Sequence, residues 1–107
     1  MADSEEFGSK VCDVPGFEGV WVRFATRGYP RKLRREWDDA DADGVQRIVL
    51  RYVQEWNVSD VAGVAVVLPD GERPASLLDN VEDVVVVWLI RAFQRLWLVE
   101  LLAPRPN

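Results

Sequence analysis

The sequence predicts an α+β domain, mostly helical, with about three helices and a small two-stranded β element. Three observations carry this expectation. Apolar residues recur at helical spacing from Val45 to Trp56; a second, longer apolar stretch runs on to Leu102; and two short segments, residues 20–24 and 61–68, have the composition of strands.

Size and composition fit one folded unit. The chain has 107 residues, of which 49% are hydrophobic and 29% charged, a balance typical of a packed globule and unlike that of a disordered acidic chain. The expected organisation is an N-terminal arm over residues 1–16 and a single globular domain over 17–104. The arm reading rests on acids, Gly8, Ser9 and the Pro15-Gly16 breaker, which show no steady apolar period.

Residues 20–24 alternate, with Val20, Val22 and Phe24 on one side and Trp21 and Arg23 on the other, which is the two-residue period of a half-buried strand. Gly28 and Pro30 close it. Residues 31–43 run from basic to acidic, a polarity that opposes the helix macrodipole, so only a short or frayed helix is expected there. Val45, Ile48, Val49, Tyr52, Val53 and Trp56 then share one helical face. Asp43 is the expected N-cap, Gln46 completes a capping box, and Asn57 is the expected stop.

Residues 61–68 are rich in valine and end in Leu68-Pro69-Asp70-Gly71, a strand followed by a turn. Ser76 is the expected cap of a short turn through Leu77 and Leu78. Asn80 and Asp83 mark the start of a final helix reaching about Leu102 before Pro104. In that helix, residues 84–90 are apolar on every side, more than a chain of this size readily encloses, which points to a partner or a second copy completing the cover. Tryptophan and arginine dominate binding hot spots, so Trp88, Arg91, Phe93, Arg95 and Trp97 form the candidate protein-binding set, with core or homo-oligomer packing as the competing role.

Other chemistries find little support. Asp39, Asp41, Asp43 and Gly44 match the first half of a calcium loop, but Leu50 stands where the bidentate glutamate belongs, so these acids read as a solvated, helix-capping cluster. The same acids with Glu36 could be imagined as paired carboxylates or magnesium ligands, yet nothing else in the chain supports such a site. The absence of histidine removes the ordinary general base and the Ser-His and Cys-His nucleophile pairs. Cys12 is the single cysteine, so no internal disulfide can form, which suits a reducing cytoplasm. The scattered glycines form no phosphate loop. A net charge of -5 disfavours nucleic acid, and the basic cluster Arg23, Arg27, Arg31, Lys32, Arg34 and Arg35 is followed by acids that offset its field. The longest apolar run falls well short of the ~20 residues needed to span a bilayer, and the acidic N-terminus lacks a secretion signal, so the expectation is a cytoplasmic protein with no membrane contact.

A wider pattern covers residues 19–104: Gly19-Val20-Trp21-Val22-Arg23; a helix ending in Tyr52-Val53-Gln54-Glu55-Trp56-Asn57; Ser59-Asp60-Val61-Ala62-Gly63 leading to Leu68-Pro69; and a terminal helix ending in Glu100-Leu101-Leu102-Ala103-Pro104. In this order of apolar spacing and turns the chain resembles the small tail assembly chaperone-like proteins of tailed bacteriophages and prophages. It departs from them in Val64 to Val67, which replace a more polar stretch after the turn, and the cluster of Asp39, Asp41 and Asp43 matches no family role. The resemblance implies a non-enzymatic protein without cofactors. Such a protein binds the tape measure protein in the host cytoplasm during tail building, with a structural tail or neck subunit retained in the virion as the alternative.

Overall fold

A computed structural model gives the fold and describes residues 4–6 and 8–102, with side chains over 8–98. Its element order is β1 (Ser4–Glu6), β2 (Ser9–Asp13), β3 (Trp21–Ala25), α1 (Leu33–Asp39), α2 (Ala42–Arg51), β4 (Val53–Trp56), a single 3-10 turn (Ala75–Leu78) and α3 (Asp83–Leu102). The class is α+β, as expected. The β element is larger than two strands: β2, β3 and β4 form an antiparallel sheet, and the short β1 extends it in the order β1-β2-β3-β4.

Two sequence expectations are corrected by this sheet. Residues 9–13, read as part of a loose arm, form β2, where Val11 is buried and the ladder pairs Lys10 with Phe24 and Cys12 with Val22. The described fold therefore begins well before Phe17, and only residues 1–3 and 7 of the expected arm lie outside the described residues. The strand expected over 61–68 does not form. Its one ladder contact is the isolated bridge between Ser59 and Ala65, and Val61, Val64 and Val67 face solvent. The second core strand is β4, which the apolar spacing had assigned to the end of the α2 helix.

The register explains why β4 wins. Val22 pairs with Trp56 and Arg23 with Glu55, and after a bulge Phe24 pairs with Val53. Without β4, the far edge of β3 would leave backbone donors and acceptors without ladder partners beside the core. Helix α2 accordingly ends at Arg51, the chain reverses at Tyr52, and Ala25 N–H donates to the Tyr52 carbonyl at 2.8 Å. Asn57, expected as a helix stop, instead fastens the far end of the pair: Trp21 N–H donates to its Oδ1 and its Nδ2 donates to the Gly19 carbonyl, both at 2.8 Å.

Partners in an antiparallel ladder share a face. Val22 and Phe24 therefore point with Cys12 and Trp56 toward the helices, while Arg23 lies with Val11, Ser9 and Glu55 on the outer face, where it donates to Ser9 Oγ at 3.2 Å. The core sits between the inner face and the three helices. Leu33 of α1, Ile48, Val49 and Leu50 of α2, and Val85, Leu89, Ala92, Phe93 and Trp97 of α3 close over Val22, Phe24 and Val53. Its centre is aromatic: Phe93 stacks on Tyr52 at 5.4 Å between ring centroids, meets Tyr29 edge-on at 5.8 Å and Trp37 at 5.7 Å, and stacks on Trp97 at 6.1 Å.

The helix starts follow the chemistry of caps. Asp41, not Asp43, is the N-cap of α2; its Oδ1 accepts from Gly44 N–H at 2.7 Å, and Asp43 lies in the first turn where its charge suits the dipole. The short α1 has no side-chain cap and carries its acid-rich end at the C-terminus, in keeping with the unfavourable polarity read from the sequence. At the other end of α2, Arg73 from the long connection donates to the Leu50 carbonyl at 2.8 Å, the Val53 carbonyl at 2.5 Å and the Pro69 carbonyl at 2.8 Å. One guanidinium thus satisfies a helix-terminal carbonyl and ties the irregular segment to the α2–β4 corner.

Candidate protein-binding surface

Helix α3 has two apolar faces. One, carrying Val85, Leu89, Ala92, Phe93 and Trp97, is buried against the sheet and the other helices. The opposite one carries Val84, 59% exposed, Val87, 40% exposed, and Leu98, 41% exposed. Trp88, Arg91, Gln94 and Arg95 complete an open groove of about 620 Å³ on that side. Trp88 bridges the two environments: it is half-buried, with its ring 6.2 Å from that of Phe24 beneath, and its outer edge lines the groove. An anchor braced from below loses little freedom when a partner covers it.

The five sequence-selected residues therefore divide. Trp88, Arg91 and Arg95 come together on the exposed face. Phe93 is fully buried and Trp97 is 6% exposed, so both are core residues and not partner contacts. The reason is geometric: at 100° per residue, positions 93 and 97 fall on the opposite side of α3 from 91 and 95. Val84, Val87 and Leu98 were missed. For Val84 and Leu98 the signal was present in the spacing 84, 88, 91, 95, 98, which alternates four and three residues in the manner of a helix-packing seam; Val87 flanks that seam.

The charges on this face are distinctive. Both arginines are exposed, and neither has an ion-pair partner among the described residues. They stand between Val84, Val87 and Trp88 at one end and Leu98 at the other. A hairpin tipped with valines lies near the amino-terminal end of α3, where Val61 N–H donates to the Asn80 carbonyl at 2.9 Å. Asp60 holds that tip in shape, its Oδ1 accepting from Ala62 and Val64 N–H at 2.9 and 3.0 Å, with Gly63 at φ +82°.

The acid-rich segment occupies a separate cleft of about 830 Å³ between α1, α2 and residues 70–73. Its carboxylates are interleaved with Arg47, Arg51 and Arg73. Glu36 makes a two-point contact with Arg51 at 3.1 and 2.8 Å, and this hydrogen bond holds the Glu36 carboxyl below its ordinary range while raising Arg51. Asp41 is engaged as a cap. Among the described residues no group of three or more His, Cys, Asp or Glu side chains is placed to hold a metal ion. Of the basic cluster, Arg23 lies on the outer sheet face and Arg34 pairs with Asp38 at 3.2 Å on α1, so the two do not share one basic surface.

No helix among the described residues is long and apolar enough to cross a membrane. Comparison of the chain with protein-family models, with curated proteins and with solved structures gives no match.

Proposed function

We propose that this protein is a non-enzymatic binding protein that holds a partner against the exposed face of α3, and that it acts as a tail assembly chaperone for a tape measure protein in the host cytoplasm. The observation that carries the binding reading is the second apolar face of α3, where Val84, Val87, Trp88 and Leu98 remain open around two arginines. A face of this kind is costly to leave in water and is suited to a helix laid along it. The identity of the partner follows from the resemblance to tail assembly chaperone-like proteins, whose client is a long and largely helical chain.

The test is co-purification from phage-infected or prophage-bearing cells with this protein as bait, alongside mass spectrometry of purified particles. The chaperone reading expects a long tail-length-determining protein in the eluate and no bait in the particle. Bait found in stoichiometric amounts in particles would instead make it a structural tail or neck subunit, and recovery of neither would remove the phage assignment.

A further inference from the structure

From the charge pattern of this same face we infer its occupant: an amphipathic helix of about four turns carrying two carboxylates one turn apart, flanked by apolar residues, and not a second copy of this chain. The inference rests on α3 as the binding face but not on the phage assignment. The seam from Val84 to Leu98 is about 21 Å long at 1.5 Å per residue, so an occupant must be helical over a similar length to cover it. Arg91 and Arg95 are four residues apart and stand on successive turns, Arg91 at the midpoint of that seam. A partner that buries the apolar ends must also approach both guanidinium groups, and one with glutamate or aspartate at i and i+4 supplies the missing counter-charges.

Self-association along the whole seam fails on the same geometry. In a parallel pair each arginine meets its own copy. In an antiparallel pair centred on the seam Arg91 still meets Arg91, because residue 91 lies midway between 84 and 98. Like charges brought together at the centre of an interface weaken it and select against that pairing.

The experiment uses the full chain and two synthetic helical peptides of about four turns, identical except at two central i, i+4 positions, which are glutamate in one and lysine in the other. Leucines occupy the flanking seam positions of both, and binding is read by fluorescence anisotropy of a dye on the peptide. The expected result is a preference of about tenfold for the glutamate peptide at low salt, reduced by added salt, and reversed by the double substitution Arg91→Glu/Arg95→Glu. Circular dichroism of the double variant should match the parent. Failure of the glutamate peptide to bind, equal binding of both, or a dimer in sedimentation that competes with the peptide would overturn the inference. Loss of the phage assignment in co-purification would leave the peptide preference standing, so the two readings fail separately.

Discussion

Phe93→Ala tests how α3 divides between core and surface. The side chain is fully buried and surrounded by Tyr29, Tyr52, Trp37 and Trp97, with ring centroids between 5.4 and 6.1 Å away. Removing a buried phenylalanine costs roughly 3–5 kcal/mol, and the upper half of that range applies when the surroundings cannot close the cavity. Here the neighbours are large rings braced by one another, and each lost aromatic contact adds to the area term. We therefore expect a loss of about 4 kcal/mol, a large part of the 5–15 kcal/mol typical of a whole domain. In urea, at a slope of roughly 1–3 kcal/mol/M, the midpoint should fall by about 2 M. Phe93→Leu, which keeps much of the volume, should lose only about 1.5 kcal/mol and keeps the measurement readable if the alanine variant does not fold. Arg91→Ala, one face away, should change stability by less than about 0.5 kcal/mol. An unchanged midpoint for Phe93→Ala, with peptide binding lost, would refute the division and return Phe93 to the contact surface.

Three further outcomes follow from the helix ends and the Glu36–Arg51 ion pair. Asp41→Ala should destabilise the fold by about 1 kcal/mol in urea unfolding, whereas Asp43→Ala should have a smaller effect because the Gly44 amide is satisfied by Asp41. Arg73→Met removes a charged donor from the Leu50 and Val53 carbonyls and should cost roughly 2 kcal/mol, with faster amide exchange at the α2–β4 corner. Glu36→Gln should flatten the acid limb of the stability profile. Because Arg51 lowers the folded-state pKa of Glu36, the pair stabilises the fold above the ordinary carboxylate pKa, and this is lost as pH falls through the lowered value. Both side chains are more than a third exposed, so the difference should be only a few tenths of a kcal/mol.

The legible parts of this fold were those in which one local period had a single reading. The strand around Val22 and Phe24 and the long final helix were found because alternation and continuous apolar character admit few alternatives over those residues. The boundary between α2 and β4 was not, since Val53 and Trp56 continue the helical spacing of Ile48 and Val49 and only the unfilled edge of β3 decides against it. Residues 9–13 escaped notice for a related reason: Val11 and Cys12 face opposite sides of the sheet, so the strand has no single apolar face to betray it. Residues 61–68 have strand composition, but Asp60 and Gly63 fold their start into a tight hairpin tip that leaves Val61, Val64 and Val67 outside the core.

The candidate surface was half legible for a physical reason that bears on its function. Residues 84–90, apolar on every side, give no phase from which to tell inside from outside, and the spacing 84, 88, 91, 95, 98 marks a seam without saying whether the core or solvent takes it, so tryptophans and arginines were selected by type. Packing supplies the phase: once Leu89, Phe93 and Trp97 are taken by the core, the remaining side must carry Val84, Val87, Trp88, Arg91, Arg95 and Leu98 together. The feature that hid this face is thus the one on which the proposed binding role rests. Had α3 possessed an ordinary polar outer face, its phase would have been plain and no second apolar side would stand exposed. On the proposed binding role, Arg91 at the midpoint of the seam and Arg95 one turn further on would oppose closure of that second apolar side on its own copy and favour a partner that brings the opposite charge.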